Sequence, residues 1–199
     1  MQKQPATQKQ FAFMEYNVPR RKRPDRLFFC LRVDERTALI SDRIGRGIKH
    51  EYDVSARMRP LPHLHISLQH IGDYPHLKDR HVFAAMLAAR MVSFEPFPIT
   101  LDRFEAFPSR KPANYPCVLC GNGTGAIFDL HRLLALAMLK NGMRAGFEFA
   151  PHMTLFYAPF TLPPRMIQPV TFTVREFCLI HSIVGETRYE QLGTWPLRG

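Results

Sequence analysis

The chain has 199 residues, of which 46% are apolar and 22% are charged, so it can bury a sizeable core and is not a disordered polyelectrolyte. No apolar stretch has the length needed to cross a bilayer, and the N-terminus lacks the apolar region of a secretory signal. These features predict a cytoplasmic protein with no membrane partner. The four cysteines lie in apolar runs, which favours buried free thiols over a disulfide framework.

The net charge of +10 favours an anionic partner, and nucleic acid is the usual partner for such a balance. Residues 1–26 carry seven basic and two acidic side chains, which gives this segment a net charge of +5. Half of the excess positive charge therefore lies near the N-terminus. We expect residues 1–25 to form a basic tail, as a solvated arm, an RNA-contacting arm or a targeting signal, and residues 26–199 to form one folded domain.

The first half of this domain is predicted to alternate strands and helices. Residues 26–33, RLFFCLRV, form a hydrophobic run typical of a buried central strand. Asp34 can then cap a helix over residues 35–50. A second strand is expected at residues 63–70, followed by an amphipathic helix at residues 77–93.

The second half begins with residues 97–107, which alternate apolar and polar side chains as a half-buried strand does. Further along, the pattern predicts a short buried strand at residues 116–120, a helix at 126–140, a strand at 149–157, a proline-rich loop at 158–169 and a last strand or strand pair at 170–184.

One tetrapeptide pattern occurs twice, 87 residues apart, as HISL from His65 and HMTL from His152. Alternate side chains of a strand point to the same face, so His65 shares a face with Ser67, and His152 shares one with Thr154. The opposite face of each strand is apolar and suits packing against a hydrophobic layer. Each strand thus presents an imidazole beside a hydroxyl.

The two halves of the chain also correspond in the order of their elements. FPITLDRFEAF and VTFTVREFCLI share a short pattern that aligns Thr100 with Thr173 and Phe104 with Phe177. A duplication explains this correspondence. We therefore predict an α+β fold of two pseudo-symmetric lobes, each an antiparallel sheet with helices on its outer face, around a central groove in which the two histidine strands face each other.

These features together resemble the two-histidine (2H) phosphoesterase superfamily and, within it, the bacterial RNA 2′,3′-cyclic phosphodiesterase family, also called the 2′-5′ RNA ligase family. Two His-x-Thr/Ser-x tetrapeptides mark that family, here HISL and HMTL. RLFFCLRV and FCLIHSIVGETRYEQLGTWPL are also similar to it, with Arg188-Tyr189 in a recurring Arg-Tyr position. The resemblance covers residues 27–199.

Two residues depart from the family pattern. Ser67 stands where Thr is commoner, and either hydroxyl can donate to a phosphoryl oxygen. Tyr157 stands where some relatives carry Arg, so a cationic phosphate contact is missing or is supplied by Arg188, Arg110 or Lys111.

The resemblance implies hydrolysis of 2′,3′-cyclic phosphate ends of RNA to a 2′-phosphate, with His65 as general acid and His152 as general base. The residues alone leave these two roles exchangeable, since an unperturbed imidazole titrates near pH 6.5. Ser67 and Thr154 would donate hydrogen bonds to the non-bridging oxygens. Run backwards, the same chemistry would make a 2′-5′ linkage.

No metal or other cofactor is expected, because two imidazoles can supply both acid and base. Cys117 and Cys120 resemble half of a zinc site, but no second pair of ligands has suitable spacing. Phe156, Tyr157 and Arg188 are candidate substrate contacts, and core packing is the alternative for Phe156.

The other histidines are interpreted without a catalytic role. His63 shares the face of His65 and could line the groove, but it is interpreted as a residue flanking the groove. The residues interpreted as structural or surface histidines are His70, His76, His81, His131 and His181.

Two alternative functions remain open. The first is the same chemistry on a small nucleotide, such as a cyclic phosphate of ADP-ribose. The second is RNA binding without catalysis. In each case a monomer is expected.

Overall fold

Eight strands and three α-helices make up most of the chain in a computed structural model that describes residues 24–121 and 125–198. The strands are β1 (Asp25–Arg32), β2 (His65–Tyr74), β3 (Phe97–Ala106), β4 (Tyr115–Cys120), β5 (His152–Ala158), β6 (Arg165–Val174), β7 (Glu176–Ile183) and β8 (Arg188–Pro196). The helices are α1 (Glu35–Glu51), α2 (Asp79–Arg90) and α3 (Gly125–Lys140), and a 3₁₀ turn spans Leu61–His63.

The strands form one antiparallel sheet in the order β6-β3-β4-β5-β2-β1-β7-β8. A single residue pair, Ile66 with Met153, joins β2 to β5, whereas the other neighbouring strands share longer ladders. The sheet therefore divides at its centre into lobe I (β2, β1, β7 and β8) and lobe II (β5, β4, β3 and β6). The prediction of an α+β fold with two pseudo-symmetric antiparallel lobes is confirmed.

Strand pairing tests the short internal repeat. In lobe I, Ser67 pairs with Cys30 of β1, which pairs with Cys178 of β7, and Phe177 precedes Cys178. In lobe II, Thr154 pairs with Val118 of β4, which pairs with Glu105 of β3, and Phe104 precedes Glu105. The predicted equivalence of Phe104 and Phe177 is therefore correct. Thr100 and Thr173 are not equivalent, because Thr173 lies in β6 and pairs with Pro98 of the neighbouring β3. The aligned rows are Ser67–Cys30–Cys178 in lobe I and Thr154–Val118–Glu105 in lobe II.

The helices begin close to the predicted positions. The Asp34 carboxylate accepts a hydrogen bond from the Thr37 N–H at 2.8 Å and caps α1, as predicted. Helix α2 is shorter than the predicted residues 77–93. It begins at Asp79, because the backbone of Lys78 is extended and forms the N-cap. The Leu77 N–H, before the helix, donates to the Asp25 carboxylate at 2.9 Å.

The predicted proline-rich loop at residues 158–169 is only partly a loop. Strand β6 begins at Arg165 and includes Pro169, so the second half of that segment belongs to the sheet. Strand β6 lies at the edge of the sheet, and an edge strand tolerates a residue that cannot donate a ladder hydrogen bond. The presence of Pro169 therefore made the predicted loop too long at its C-terminal end.

The helices cover one face of the sheet, and most of the core lies between them and the strands. Ile66 and Leu68 of β2 and Met153 and Leu155 of β5 are buried in this layer, as predicted. The opposite face carries a smaller apolar cluster formed by strand residues alone, Phe28, Cys30, Cys178 and Ile180.

All four cysteines are buried and free, as predicted. None of the helices in residues 24–121 and 125–198 has the length and apolarity of a membrane span. The predicted basic tail, residues 1–25, lies outside the described residues except for Pro24 and Asp25, the first residue of β1.

Candidate active site

A cleft of about 400 Å³ opens on the sheet face that the helices leave free, where the two lobes meet. It is called the groove below. Both histidines and both hydroxyls of the repeated motif line it, so the structure brings together the four residues that the repeat predicted. The lining residues are Arg26, Phe28, Arg59, His65, Ser67, His70, His152, Thr154, Tyr157 and Tyr189.

The two motif histidines are held by the same hydrogen bond. Nδ1 of His65 lies 2.7 Å from the carbonyl oxygen of His63, and Nδ1 of His152 lies 2.7 Å from that of Ala150. A carbonyl oxygen only accepts, so each Nδ1 carries the proton. Both rings are therefore fixed in one tautomer, with Nε2 left to exchange a proton.

The pairing of Ile66 with Met153 sets the spacing of the two rings. In this antiparallel register His65 lies opposite Thr154, and Ser67 lies opposite His152. The two histidines are then diagonal neighbours, whose Cα atoms lie about 7–8 Å apart. The register therefore places the two imidazoles on adjacent strands at one groove.

His65 has the more enclosed position of the two. Its ring packs against Phe28 at 5.2 Å and against the edge of Tyr189 at 5.8 Å between centroids, and its Nε2 lies 3.2 Å from Ser67 Oγ. Burial, with the neighbouring charges of Arg59 and His152, lowers the pKa of His65 to about 4. His65 is therefore neutral at pH 7 in the free protein.

A β-bulge follows the hydroxyl residue in both motif strands. In β5, Thr154 pairs with Val118 and Phe156 pairs with the adjacent Cys117, so Leu155 has no partner in β4. An extra residue reverses the alternation of side chains beyond it. The groove-facing residue after the motif is consequently Tyr157, which is 39% exposed.

The bulge corrects one predicted substrate contact. Phe156 was expected to share the groove face of Thr154, but it is fully buried and stacks on Phe104 at 6.4 Å. Of the two interpretations of Phe156, core packing is therefore correct and substrate contact is wrong.

The same displacement occurs in β2. Ser67 pairs with Cys30 and Gln69 pairs with the adjacent Phe29, which leaves Leu68 as the bulge residue. Gln69 is buried, and His70 faces the groove. His70 was interpreted as a structural or surface histidine, and it is exposed and contacts Asp73 at 3.1 Å. It also lines the groove, which that interpretation did not include, at the position in lobe I that Tyr157 occupies in lobe II.

The predicted cation at the groove is also corrected. Arg188 is not among the lining residues and forms an ion pair with Glu190. Alternation along β8 turns its neighbour Tyr189 into the groove instead. Arg110 and Lys111 lie in the loop between β3 and β4 and do not line the groove.

Two arginines that the sequence analysis did not select line the groove. Arg26 forms two hydrogen bonds with Asp73, at 2.7 and 2.8 Å. Arg59 donates from Nη2 to the Tyr189 hydroxyl at 2.7 Å. Alternation along β1 was a signal for Arg26, since it shares a face with Phe28, whereas Arg59 lies in a loop and gave no periodic signal.

His63 lies in the 3₁₀ turn before β2 and stacks on Tyr189 at 4.1 Å. It does not line the groove, as its interpretation as a flanking residue predicts. In residues 24–121 and 125–198, no group of three or more His, Cys, Asp or Glu side chains is arranged to hold a metal ion.

The fold and the groove define a two-histidine phosphoesterase, with two lobes that bring paired His-x-Ser/Thr strands to one site. The chain belongs to the 2′-5′ RNA ligase superfamily, whose family model matches residues 40–186. This superfamily acts on phosphoester bonds, so the protein is an enzyme of the phosphodiesterase or ligase type. No curated protein matches the sequence significantly.

Solved structures share the fold at low sequence identity. E. coli LigT in complex with 3′-AMP is 22% identical, with a TM-score of 0.65 over 89% of this chain and 100% of that chain. LigT in complex with ATP is 23% identical, with a TM-score of 0.65 over 88% and 99%. TT0787 of Thermus thermophilus is 20% identical, with a TM-score of 0.67 over 87% and 98%.

Proposed function

We propose that the protein is a metal-independent RNA 2′,3′-cyclic phosphodiesterase that hydrolyses 2′,3′-cyclic phosphate ends to a 2′-phosphate. The observation that carries this proposal is the pair of imidazoles that share one groove and one tautomer. Opening a cyclic phosphodiester needs one base and one acid, and two such imidazoles supply both at neutral pH.

In the proposed reaction the oxygen of water bonds to phosphorus while the bond from phosphorus to the ribose 3′-oxygen breaks. Nε2 of His152 takes the proton from water, and Nε2 of His65 gives a proton to the 3′-oxygen. His65 is neutral in the free protein because its pKa lies at about 4. A phosphate anion bound beside it favours the imidazolium, so His65 takes up its proton when substrate binds.

Ser67 and Thr154 are proposed to hold the non-bridging phosphoryl oxygens. Both hydroxyls line the groove, and each lies opposite the histidine of the other strand in the register of Ile66 and Met153. Fixed donors at these positions stabilise the charge that develops on phosphorus-bound oxygens during the reaction.

Nucleotide-bound structures of LigT, with 3′-AMP and with ATP, support a nucleotide as the substrate. The superfamily name also supports the reverse reaction, in which a 2′,3′-cyclic end and a 5′-hydroxyl are joined by a 2′-5′ linkage. Three aromatic rings at the groove, Phe28, Tyr157 and Tyr189, offer faces on which a base can stack.

A second candidate substrate is a small nucleotide such as a cyclic phosphate of ADP-ribose. The groove volume of about 400 Å³ favours it, because a cleft of this size accommodates a single small-molecule ligand. RNA binding without turnover is the remaining alternative, and turnover of either substrate excludes it.

The deciding experiment offers the full-length protein two substrates at equal concentration, a short RNA with a 2′,3′-cyclic end and a cyclic phosphate of ADP-ribose. We expect hydrolysis of the RNA end to a 2′-phosphate, identified by NMR of the product, at a rate that EDTA does not change. Faster hydrolysis of the ADP-ribose derivative would favour the second candidate. No turnover of either substrate would overturn the proposal.

A further inference from the structure

Arg59 reaches the groove because the bulge in β5 anchors its backbone. Its N–H donates to the carbonyl oxygen of Leu155 at 2.7 Å. Leu155 is the bulge residue, so it has no partner on β4 and its carbonyl is left for a loop. The loop before the first motif is thereby tied to the strand of the second motif, beside His65 and Thr154.

The guanidinium of Arg59 is held in one orientation at this position. Nη2 donates to the Tyr189 hydroxyl at 2.7 Å, and Cζ lies 5.9 Å from the centre of the Tyr189 ring. Tyr189 is itself fixed by stacking on His63 at 4.1 Å. One N–H of Arg59 is thus used for positioning, and the remaining N–H groups of the fork stay available to a ligand.

The positive charge of Arg59 is not neutralised by a carboxylate among the described residues. The other groove arginine, Arg26, differs in this respect, since Asp73 binds it with both carboxylate oxygens. The field of Arg59 also acts on His65, where it is one of the causes of the lowered pKa. The groove therefore holds an uncompensated guanidinium next to a motif histidine, and a planar guanidinium fork matches the oxygens of a phosphate.

We propose that Arg59 is a further catalytic residue, which binds a non-bridging oxygen of the scissile phosphate, and that Tyr189 is its positioning residue. This inference rests on the proposed function. Arg59 transfers no proton. It stabilises the negative charge that the phosphoryl oxygens carry while the bond to water forms and the bond to the leaving oxygen breaks.

The test compares Arg59→Met and Arg59→Lys with a matched control, Arg57→Met, at an exposed arginine of the same loop outside the groove. The first measurement is kcat on a nucleoside 2′,3′-cyclic phosphate. We expect Arg59→Met to lower kcat about 100-fold, Arg59→Lys to recover part of this loss, and Arg57→Met to leave kcat unchanged.

The second measurement does not need turnover. Titration calorimetry with inorganic phosphate is expected to show about tenfold weaker binding to Arg59→Met than to the wild-type protein. Removing the guanidinium is also expected to raise the pKa of His65, which can be read from the NMR titration of its imidazole C–H. A purely structural Arg59 would change thermal stability and leave phosphate affinity unaltered.

Tyr189→Phe keeps the ring and removes only the hydroxyl that orients Arg59. We expect a severalfold lower kcat with a nearly unchanged melting temperature. Wild-type kcat and phosphate affinity in folded Arg59→Met would overturn this inference while leaving the proposed function standing. If the wild-type protein hydrolyses no cyclic phosphate, the proposed function fails, and the phosphate titration still decides whether Arg59 binds the anion.

Discussion

The two motif strands share a backbone design and differ in their surroundings. Each places a histidine whose Nδ1 is bonded to a carbonyl two residues earlier, then a hydroxyl, then a bulge. His65, however, packs between Phe28 and Tyr189 near Arg59, whereas the ring contact of His152 is Phe107 at 4.9 Å. Duplicated strands can thus keep one geometry for two imidazoles and give them different electrostatic environments.

The lobes are also linked reciprocally. The bulge carbonyl of β5 holds Arg59, in the loop before His65. The side chain of Gln69, which follows the bulge of β2, holds Gly146 in the loop before His152, accepting from its N–H at 3.1 Å and donating to its carbonyl at 2.8 Å. Each motif strand therefore fixes the loop that leads into the other motif. These contacts reinforce the connection between the lobes, which β2 and β5 make through one residue pair.

The largest expected effect comes from breaking either half of the histidine pair. His65→Ala and His152→Ala are each expected to lower kcat for cyclic phosphate hydrolysis about 1,000-fold, because each removes one proton-transfer group and such a group contributes about 10²–10⁴-fold to a rate. His50→Ala, at an exposed histidine of α1 outside the groove, serves as the control. Normal turnover by either motif variant, with an intact circular dichroism spectrum, would contradict a two-histidine mechanism.

Sequence periodicity predicted the four motif residues because their positions depend on alternation over only three residues. It failed immediately beyond the motif, where the bulges shift Phe156 into the core and turn His70 to the groove. A bulge is an extra residue in one strand relative to the strand it pairs with, so the sequence of one strand alone does not reveal it. Both displacements therefore have one physical cause.

The duplicated fold could be predicted because buried strands and a repeated motif leave periodic signals. The groove cation could not, since Arg59 reaches its place through a hydrogen bond to Leu155, which is far away in the chain. Arg188 stood beside a groove residue in sequence, but alternation along β8 directs it to Glu190. Long-range contacts of this kind decide which of several arginines reaches the groove.

The equivalence of the lobes can be tested in their cores. Phe104 and Phe177 occupy corresponding positions and are both fully buried. Truncation to alanine at either position is expected to lower the free energy of unfolding by about 3–5 kcal/mol, through lost burial and a residual cavity. Denaturant unfolding measures both losses, and Phe→Leu at each site should cost less. A loss below about 1 kcal/mol at one site alone, outside the usual range for such a truncation, would show that the two positions are not equivalent.

The contacts that link the lobes can be tested by removing those of Gln69 alone. Gln69→Leu leaves three groups without their partner, Nε2 of His131 and the N–H and carbonyl of Gly146. We expect a loss of about 2–3 kcal/mol in the free energy of unfolding, the cost of unpaired buried polar groups. Because Gly146 precedes His152, kcat should also fall, by about tenfold, since a small misplacement of a catalytic group slows the reaction. Gln69→Glu, which keeps an acceptor for the Gly146 N–H, should retain more activity.

The last expected effect is a pH dependence of stability that isolates the environment of His65. Its pKa in the folded protein is about 4, below the value near 6.5 of an unfolded histidine. The unfolded chain therefore binds more protons between these values, so this contribution to stability is complete above pH 6.5 and is lost as the pH falls towards 4. The loss amounts to at most about 3.4 kcal/mol, because a pKa difference of one between the folded and unfolded states corresponds to about 1.36 kcal/mol. Denaturant unfolding of His65→Gln at pH 7 and pH 4.5 should show a smaller acid-induced loss than the wild-type protein, with His50→Gln behaving as wild type. Equal losses in His65→Gln and wild type would mean that His65 is as well hydrated as an unfolded histidine. The two motif histidines would then differ only in the rings that they contact.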